Sequence, residues 1–449
     1  MIGCGGSEVI KERKEITMEN KIDFSKENIL FISNEQIDVD SDEYKKETEF
    51  NRQKIREKIE PWLTAVFQSE HLSLLVGSGL PIALTGKNSM MPRIEFEGTY
   101  RDLIKQKASE EANHMGRGEA NFEDDIRISI ELLKGLEIQK KSKKSKQLKK
   151  EINKKLQELL NLVIKNENQF FVEIKKKNSL LLLEKFLMSF STRTATRDRL
   201  NIFTTNYDRF IEFGLDEAGI LTLDRFIGKL KPIMRFHRVD LDYHYNPPGI
   251  RGEPRYVEGV VRYTKLHGSI DWQFENGQIV KNPLPFGAEV DDKYFDNPYD
   301  RVVIYPNSAK AIETSFFPYS ELFRDFSTAI CRPNSVLVTY GYGFGDSHIN
   351  RIIKDMLTIP STHLVIISYD LANDRIKKFI ETCNESQLTL LIGKELADIH
   401  SLTNYYLPKP AIDRITDRQT KILEKRKLGN VNNEIHNNNA TLLTGEDNE

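Results

Sequence analysis

Residues 201–213 read N-I-F-T-T-N-Y-D-R-F-I-E-F, and this stretch decides the fold. It starts with two apolar residues, Ile202 and Phe203, which are typical of a buried strand, and its later apolar residues recur at helical spacing. Asn206 and Asp208 therefore stand where a strand ends and a helix begins. In an open α/β sheet the ligand crevice lies outside the carboxyl ends of the strands. A short polar residue at this place can also simply cap the helix, and both interpretations remain open for Asn206 and Asp208.

The same combination of an apolar strand and a polar or glycine-rich end recurs along the chain. One apolar run ends in G-S-G-L-P, residues 77–81, and another ends in G-Y-G-F-G-D, residues 341–346. A Gly-x-Gly turn lets the backbone approach a phosphate closely, although many such turns are only tight turns. A third strand leads to His267, and a fourth ends at Asp370. These strand ends predict one shared ligand crevice.

Four or five apolar strands that alternate with helices predict an α/β fold with a Rossmann-like, doubly wound parallel sheet and a helical insertion. We expect a poorly ordered N-terminal arm over residues 1–42 and one doubly wound domain with a single ligand crevice over residues 43–410. Helical periodicity between two strands places the insertion at residues 92–199. The polar composition of residues 411–449 predicts a flexible tail.

Composition excludes several classes of protein. The chain has 449 residues, 39% of them hydrophobic and 29% charged, with a net charge of -2, so it has no global bias toward nucleic acid or membranes. Its three cysteines, Cys4, Cys331 and Cys383, are too far apart for a disulfide framework or a zinc ribbon. No apolar run approaches the roughly 18 residues that span a bilayer. We therefore expect a cytoplasmic protein without membrane contact.

A lysine-rich segment, residues 140–155, lies inside the predicted insertion. It contains nine lysines and one acid, Glu151. Such charge runs usually form solvated helix faces, and this is the favoured interpretation. Contact with nucleic acid, through residues 140–155, is the alternative.

Four motifs together resemble the sirtuin-like (Sir2-type) family. They are G-S-G-L-P at residues 77–81, T-T-N-Y-D at residues 204–208, K-L-H-G-S at residues 265–269 and G-Y-G-F-G-D at residues 341–346. Their order and type are similar to the bacterial sirtuin-like NADases of anti-phage defence systems, rather than to protein deacetylases. The resemblance implies a Rossmann-like domain that binds NAD.

The resemblance also implies roles for individual residues. Asn206 would hold the nicotinamide ribose and position the attacking water, and Asp208 would stabilise positive charge near the anomeric carbon. His267 would act as general base on a ribose hydroxyl, because an imidazole has a pKa near the operating pH. The residues expected to bind the cofactor are Gly77, Ser78, Gly79, Leu80, Thr205, Gly341, Tyr342, Gly343, Asp346 and Asp370.

The binding roles of these residues rest on different observations. Residues 77–79 would cradle the pyrophosphate, and residues 341–343 would line the adenosine side. Asp370 is assigned to the adenosine ribose because of its position at a strand end. Asp346 is also expected to cap the helix that follows it, with Ser347.

The sequence departs from the sirtuin deacetylases in one important respect. They carry a four-cysteine zinc module between the histidine and the later glycine motif, whereas this interval contains only Cys331. We therefore expect no metal, and residues 273–300 are interpreted as a surface excursion in place of that module. A zinc-stabilised groove for acetyl-lysine peptides is not supported.

The function implied by the resemblance is that of an NAD glycohydrolase, which cleaves NAD to nicotinamide and ADP-ribose as the effector of an anti-phage defence system. Constant activity would be toxic, so we expect a gate. It would be supplied by a homo-oligomer or by a complex with a hexameric HerA-type ATPase. Two alternatives remain: a non-catalytic module that senses NAD or ADP-ribose, and a nucleic-acid-acting subunit of a defence complex.

Overall fold

The structure is a computed structural model. It describes residues 22–46, 49–86, 94–114, 120–193, 197–235, 242–245, 255–291, 294–295, 297–304 and 317–409. The predicted tail and the first 21 residues of the predicted arm lie outside this part of the chain.

The described residues form strands that we number in chain order. They are β1 (Ile29–Ile32), β2 (Glu35–Ile37), β3 (Lys45–Lys46), β4 (Glu49–Phe50), β5 (His71–Val76), β6 (Asn201–Thr204), β7 (Leu221–Leu223), β8 (Phe226–Ile227), β9 (Ile233–Met234), β10 (His244–Tyr245), β11 (Arg255–Tyr256), β12 (Val260–Lys265), β13 (Gly268–Glu275), β14 (Gln278–Lys281), β15 (Val302–Ile304), β16 (Ser335–Tyr340), β17 (His363–Ser368) and β18 (Leu388–Ile392).

The helices are numbered in the same way. They are α1 (Arg52–Phe67), α2 (Gly79–Thr85), α3 (Arg101–His114), α4 (Phe122–Ile138), α5 (Ser142–Lys177), α6 (Ser179–Ser191), α7 (Phe210–Glu217), α8 (Pro298–Arg301), α9 (Tyr319–Ile330), α10 (Ser347–Leu357), α11 (Arg375–Ile380), α12 (Lys394–Ala397) and α13 (Ile399–Ser401).

A nine-stranded sheet in the order β2-β1-β18-β17-β16-β5-β6-β12-β7 forms the centre of the molecule. The strands from β18 to β7 run parallel, and β1 and β2 add an antiparallel edge. From β5 the chain builds outward through β6 and β12 on one side, and from β16 through β17 and β18 on the other. The direction of winding therefore changes between β5 and β16, which is where an open α/β sheet has its ligand crevice.

Helices cover both faces of this sheet. On β5, Leu72, Leu74 and Val76 face a core formed with α1, α6 and α7, whereas Leu75 faces a second core formed with α9, α10 and α11. Strands buried on both faces read as continuous apolar runs, which is why the sequence identified them. The predicted Rossmann-like α/β fold, with a mostly parallel sheet flanked by helices, is confirmed.

The N-terminal region differs from the prediction of a poorly ordered arm. Residues 29–32 form β1, whose four side chains are buried, and β1 pairs antiparallel with β18. The Asn28 amide donates to Asp40 and accepts from the Glu395 backbone N–H, at 2.9 and 3.2 Å, which fixes the start of the strand. The burial of these four apolar side chains stabilises the segment in its place at the edge of the sheet.

Among the described residues between α2 and β6, four helices are present, α3 to α6. The first three pack around their own apolar cluster, which includes Ile104, Ile126, Leu133 and Ile152. None of the helices within the described ranges combines the length and apolar character that crossing a bilayer requires.

Part of the lysine-rich segment has partners inside the chain. Lys149 pairs with Asp300 at 2.9 Å, and both Lys154 and Lys155 reach Glu97 at 3.0 Å. Lys155 is buried beside Glu97, so this end of the segment is a packed helix face. Other lysines of the segment are exposed.

A second, antiparallel sheet has the order β15-β13-β14-β9-β8, and its strands β13, β14 and β15 follow β12 in the chain. It occupies residues that were interpreted as a surface excursion: β13 and β14 form a hairpin that includes residues 273–281. The interpretation was wrong for this part because Trp272, Ile279 and Val280 are buried and give the hairpin an apolar face.

Candidate functional site

The register of the central strands brings the four motifs to one edge of the sheet. Tyr340 pairs with Val76, Val76 with Thr204, and Thr204 with Lys265. The motif residues follow these positions directly, at the carboxyl ends of β16, β5, β6 and β12. Gly341, Gly77, Asn206 and His267 consequently stand along one edge, across the switch between β5 and β16.

The turns after β5 and β16 touch through glycines, which we call the glycine contact (Gly77, Gly79, Gly341). The Gly77 N–H donates to Tyr340 O and the Gly79 N–H to Gly341 O, both at 3.0 Å. A Cβ on Gly77 would lie 2.5 Å from Gly341 O, and one on Gly79 would lie 2.5 Å from Gly341 Cα. Gly341 also has φ +58°. The packing of the two turns therefore requires glycine at each position.

The turn after β6, residues 204–209, is the polar turn. The Thr204 hydroxyl donates to Val76 O at 2.9 Å and accepts from the Asn206 N–H at 3.1 Å. The Asn206 Nδ2 donates to Gly77 O at 3.0 Å, and the Thr205 N–H reaches Val76 O at 3.3 Å. These bonds hold the Asn206 amide beside the glycine contact.

A buried lysine supports the polar turn from β12. The Lys265 ammonium donates to the carbonyl oxygens of Tyr207 and Asp208 and pairs with Glu212 at 2.9 Å. A buried ammonium with several oxygen partners is well satisfied, so this side chain fixes the path of the turn.

The helical insertion also holds the polar turn. Glu167 of α5 pairs with Arg209 at 2.6 Å, and the Arg209 N–H donates to the same carboxylate at 2.8 Å. Both side chains are buried. From α4, Glu123 accepts a hydrogen bond from the Tyr207 hydroxyl at 2.7 Å. The insertion is thus joined to the site by polar contacts from two of its helices.

Asp208 lies inside this charged group. Burial raises the pKa of its carboxyl from 3.8 to about 7, the Lys265 ammonium opposes the rise, and the charges of Glu167 and Glu212 add to it. Its carboxylate accepts a long 3.4 Å hydrogen bond from the Phe210 N–H at the start of α7. These contacts favour a supporting role at the start of the helix over direct contact with a substrate.

His267 lies in the turn between β12 and β13 and is only 3% exposed. Its ring centroid is 5.7 Å from that of His348 and 6.4 Å from that of Phe323. The nitrogen and oxygen atoms of His267, Asp346 and His348 that could bind a ligand all lie within 4.8 Å of one another. We call these three residues the His-Asp-His cluster.

Several predicted binding residues have structural contacts. Leu80 is fully buried in the core, and the Tyr342 hydroxyl donates to Asn350 at 3.0 Å. Asp370 is exposed, and its carboxylate accepts the Ala372 N–H at 2.8 Å. Leu80 and Tyr342 therefore contribute to packing, and Asp370 stabilises the turn after β17.

The remaining predicted binding residues lie at helix starts and in the second glycine-rich turn. Ser78 is exposed at the start of α2. Asp346 occupies the N-cap position of α10 but makes no side-chain cap hydrogen bond, so the predicted cap by this side chain is wrong. A Cβ on Gly343 would lie 3.1 Å from an Arg375 guanidinium nitrogen, which places a positive charge against this turn.

Sequence reasoning missed five residues that shape the site. Lys265 and His348 were inside or beside recognised motifs, and their charge and ring nitrogens were the available signal. Glu123, Glu167 and Arg375 gave no such signal, because their partners are distant in the sequence or belong to another element.

In a comparison with protein families, residues 200–388 match the model of the SIR2-like domain. The matched segment contains the polar turn, the His-Asp-His cluster and Gly341, whereas Gly77 and Gly79 precede it. A search of curated proteins found no match. The family match supports a Sir2-type family for this segment, and a SIR2-like domain indicates an enzyme that uses NAD.

Proposed function

We propose that this chain is an NAD glycohydrolase that cleaves NAD to nicotinamide and ADP-ribose. The observation that carries the proposal is the placement of Asn206 and His267 at neighbouring strand ends, inside the segment that matches the SIR2-like domain. Both side chains stand at the edge of the sheet where the direction of winding changes. This is the position at which α/β sheets bind nucleotides.

Asn206 suits the first part of the reaction. Cleavage of the nicotinamide glycosidic bond develops positive, oxocarbenium character at C1′ and releases a neutral leaving group, so orientation matters more than a strong acid. The Asn206 Nδ2 is directed by its bond to Gly77 O. An amide has a second N–H and a carbonyl oxygen, which can hold a ribose hydroxyl and a water molecule at once.

His267 suits the proton transfer. As positive charge develops at C1′, a neutral imidazole can accept a proton from a ribose hydroxyl. Water then adds to C1′ as the bond to nicotinamide breaks and its electron pair leaves with nicotinamide. The added water loses one proton to solvent, and the imidazolium returns its proton to the ribose oxygen. Phe323 and Tyr207 provide aromatic walls beside the His267 ring, which limit the access of other water molecules.

The diphosphate would lie along the two glycine-rich turns. The Gly77, Gly79 and Gly341 N–H groups already donate to carbonyl oxygens, so the phosphates would approach other N–H groups of these turns, where glycine leaves room for them. The Arg375 guanidinium beside Gly343 and Gly345 would add a positive charge there.

Access to this site needs an opening step. Asn206 is 8% exposed and His267 is 3% exposed, so NAD cannot reach either side chain without movement of the surrounding segments. We propose that assembly provides this movement, in a homo-oligomer or in a complex with a hexameric HerA-type ATPase. Such control fits an effector of anti-phage defence, which must remain inactive until infection.

The test is nicotinamide release from NAD by the chain with and without its ATPase partner. We expect Asn206→Ala and His267→Ala to lose at least about 100-fold of the activity of the assembled wild type. His400→Ala, which changes an exposed histidine on α13, is the matched control and should retain it.

Retained turnover in both site variants would refute the site assignment. Tight NAD binding with no nicotinamide release by the assembled wild type would instead favour a sensing module.

A further inference from the structure

The His-Asp-His cluster is assembled from two separate elements. His267 comes from the turn after β12, and Asp346 and His348 come from the beginning of α10. Because these elements are 79 residues apart in the chain, no local motif produces the arrangement. Even so, the potential ligand atoms of the three side chains lie within 4.8 Å of one another.

The orientation of Asp346 gives a second, independent observation. This residue has the backbone position of an N-cap, with φ -94° and ψ 99°, yet its carboxylate does not accept a hydrogen bond from the first turn of α10. Aspartate at an N-cap normally accepts such a bond, which stabilises the first turn of the helix. Here the carboxylate lies with the two imidazoles instead.

Two imidazoles and one carboxylate are a donor set for first-row transition metals. Nitrogen and oxygen ligands bind such cations at about 2.0–2.2 Å, so two ligands of one ion lie roughly 3–4.4 Å apart. The observed 4.8 Å limit is close to this range, and small side-chain rotations would close the difference. Magnesium and calcium prefer oxygen ligands and do not suit this set.

The surroundings favour ligation over solvation. His267 and His348 are 3% and 7% exposed, and the Phe323 ring lies 4.7 Å from that of His348. Electrostatic attraction between a cation and a carboxylate is stronger in such an apolar environment than in water. Three protein ligands leave at least one coordination position for water or a substrate oxygen.

We propose that His267, Asp346 and His348 form a binding site for a divalent transition-metal cation of the zinc class. The site has a consequence that rests on the proposed function. An imidazole nitrogen that binds a metal has no lone pair for a proton, and the other ring nitrogen then carries its own proton. A metal on His267 would therefore suppress its action as a base, so the cation acts as an inhibitor of NAD cleavage.

The test uses the full chain after treatment with EDTA and dialysis, without NAD. Calorimetric titration with Zn²⁺ and Co²⁺, together with metal analysis, should give one ion per chain, and Mg²⁺ should give no binding. Bound Co²⁺ should add a visible absorption band. Asp346→Asn and His348→Ala should each weaken binding by about 100-fold or more, and His400→Ala should bind as the wild type does.

Absence of stoichiometric Zn²⁺ or Co²⁺ uptake would overturn the proposal and leave the cluster as a hydrogen-bonded group. Equal affinity for Zn²⁺ in Asp346→Asn and the wild type would also overturn it. Because Asp346→Asn is isosteric, it still tests the proposal if His348→Ala does not fold. Asn206→Ala separates the two proposals: it should keep the metal while losing NAD cleavage. Failure of the metal test thus leaves the NAD proposal unaffected.

Discussion

The glycine contact and the His-Asp-His cluster line the same crevice, but packing explains the residue types of only the first. In the glycine contact, packing alone requires glycine at positions 77, 79 and 341, because any Cβ would meet backbone atoms of the opposite turn at about 2.5 Å. In the His-Asp-His cluster, packing explains burial but does not require two imidazoles and a carboxylate. The glycine motifs, taken by themselves, are therefore weak indicators of a ligand, whereas the polar side chains are strong ones.

The largest expected effect on stability comes from the ion pair of Glu167 with Arg209, which holds the polar turn. Glu167→Ala leaves the buried Arg209 guanidinium without its carboxylate, which should lower the free energy of unfolding by about 4 kcal/mol. Urea denaturation measures this loss. Glu57→Ala, at an exposed position on α1, should change the free energy by less than about 0.5 kcal/mol. A loss as small as that of the control would mean that the insertion does not hold the site.

A change at the glycine contact should also act through stability. Gly341→Ala adds a Cβ 2.5 Å from Gly79 Cα and strains the φ of +58°, so we expect a loss of about 3 kcal/mol. Gly219→Ala is the matched control, because Gly219 has φ +67° but no atom within 4 Å of the added Cβ, and it should lose only about 1 kcal/mol. Equal losses would show that backbone strain, and not the contact, explains Gly341.

The pH dependence of stability in the Asp208→Asn variant should show whether Asp208 acts through the stability of the polar turn. Because burial raises the pKa of Asp208 to about 7 in the folded chain, its stabilising contribution is complete below 3.8 and is lost as the pH rises through 7. The neutral variant should therefore be more stable than the wild type at pH 8, by roughly 2–4 kcal/mol for a shift of two to three pKa units, and should show little gain at pH 4. Thermal denaturation at both pH values tests this, and a loss of stability at pH 8 would contradict it.

The smallest expected effect concerns the contact between the insertion and the polar turn. Tyr207→Phe removes the hydrogen bond to Glu123 and should cost about 1 kcal/mol. Tyr369→Phe, at an exposed tyrosine, should cost almost nothing. If the two variants unfold at the same urea concentration, the Tyr207 hydroxyl does not stabilise the contact between the insertion and the polar turn.

The central sheet could be predicted from the sequence because its strands are continuous apolar runs with polar or glycine-rich ends. β1 was missed because a run of four apolar residues between polar segments gives little local signal, and its partner β18 is more than 350 residues away. The hairpin of β13 and β14 was missed because polar and glycine residues dominate the segment around it. Non-local pairing decided the first case, whereas the hairpin pairs locally across residues 276–277.

The candidate site was predictable to a similar extent. Asn206 and His267 stood in recognisable motifs at strand ends, and the structure places them in the turns that follow the neighbouring strands β6 and β12. The ion pair of Glu167 with Arg209 and the approach of His348 to His267 depend on how distant elements pack, which periodicity and spacing do not encode. The charge and chemistry around the motifs therefore emerged only from the fold.

The role of His267 is tested most directly by comparing nicotinamide release by His267→Gln and His400→Gln under conditions in which the wild type releases nicotinamide. We expect both variants to unfold at the wild-type temperature. His400→Gln should keep the wild-type rate, and His267→Gln should lose at least about 100-fold of it. A folded His267→Gln variant that releases nicotinamide at the wild-type rate would contradict the claim that this side of the crevice performs the chemistry.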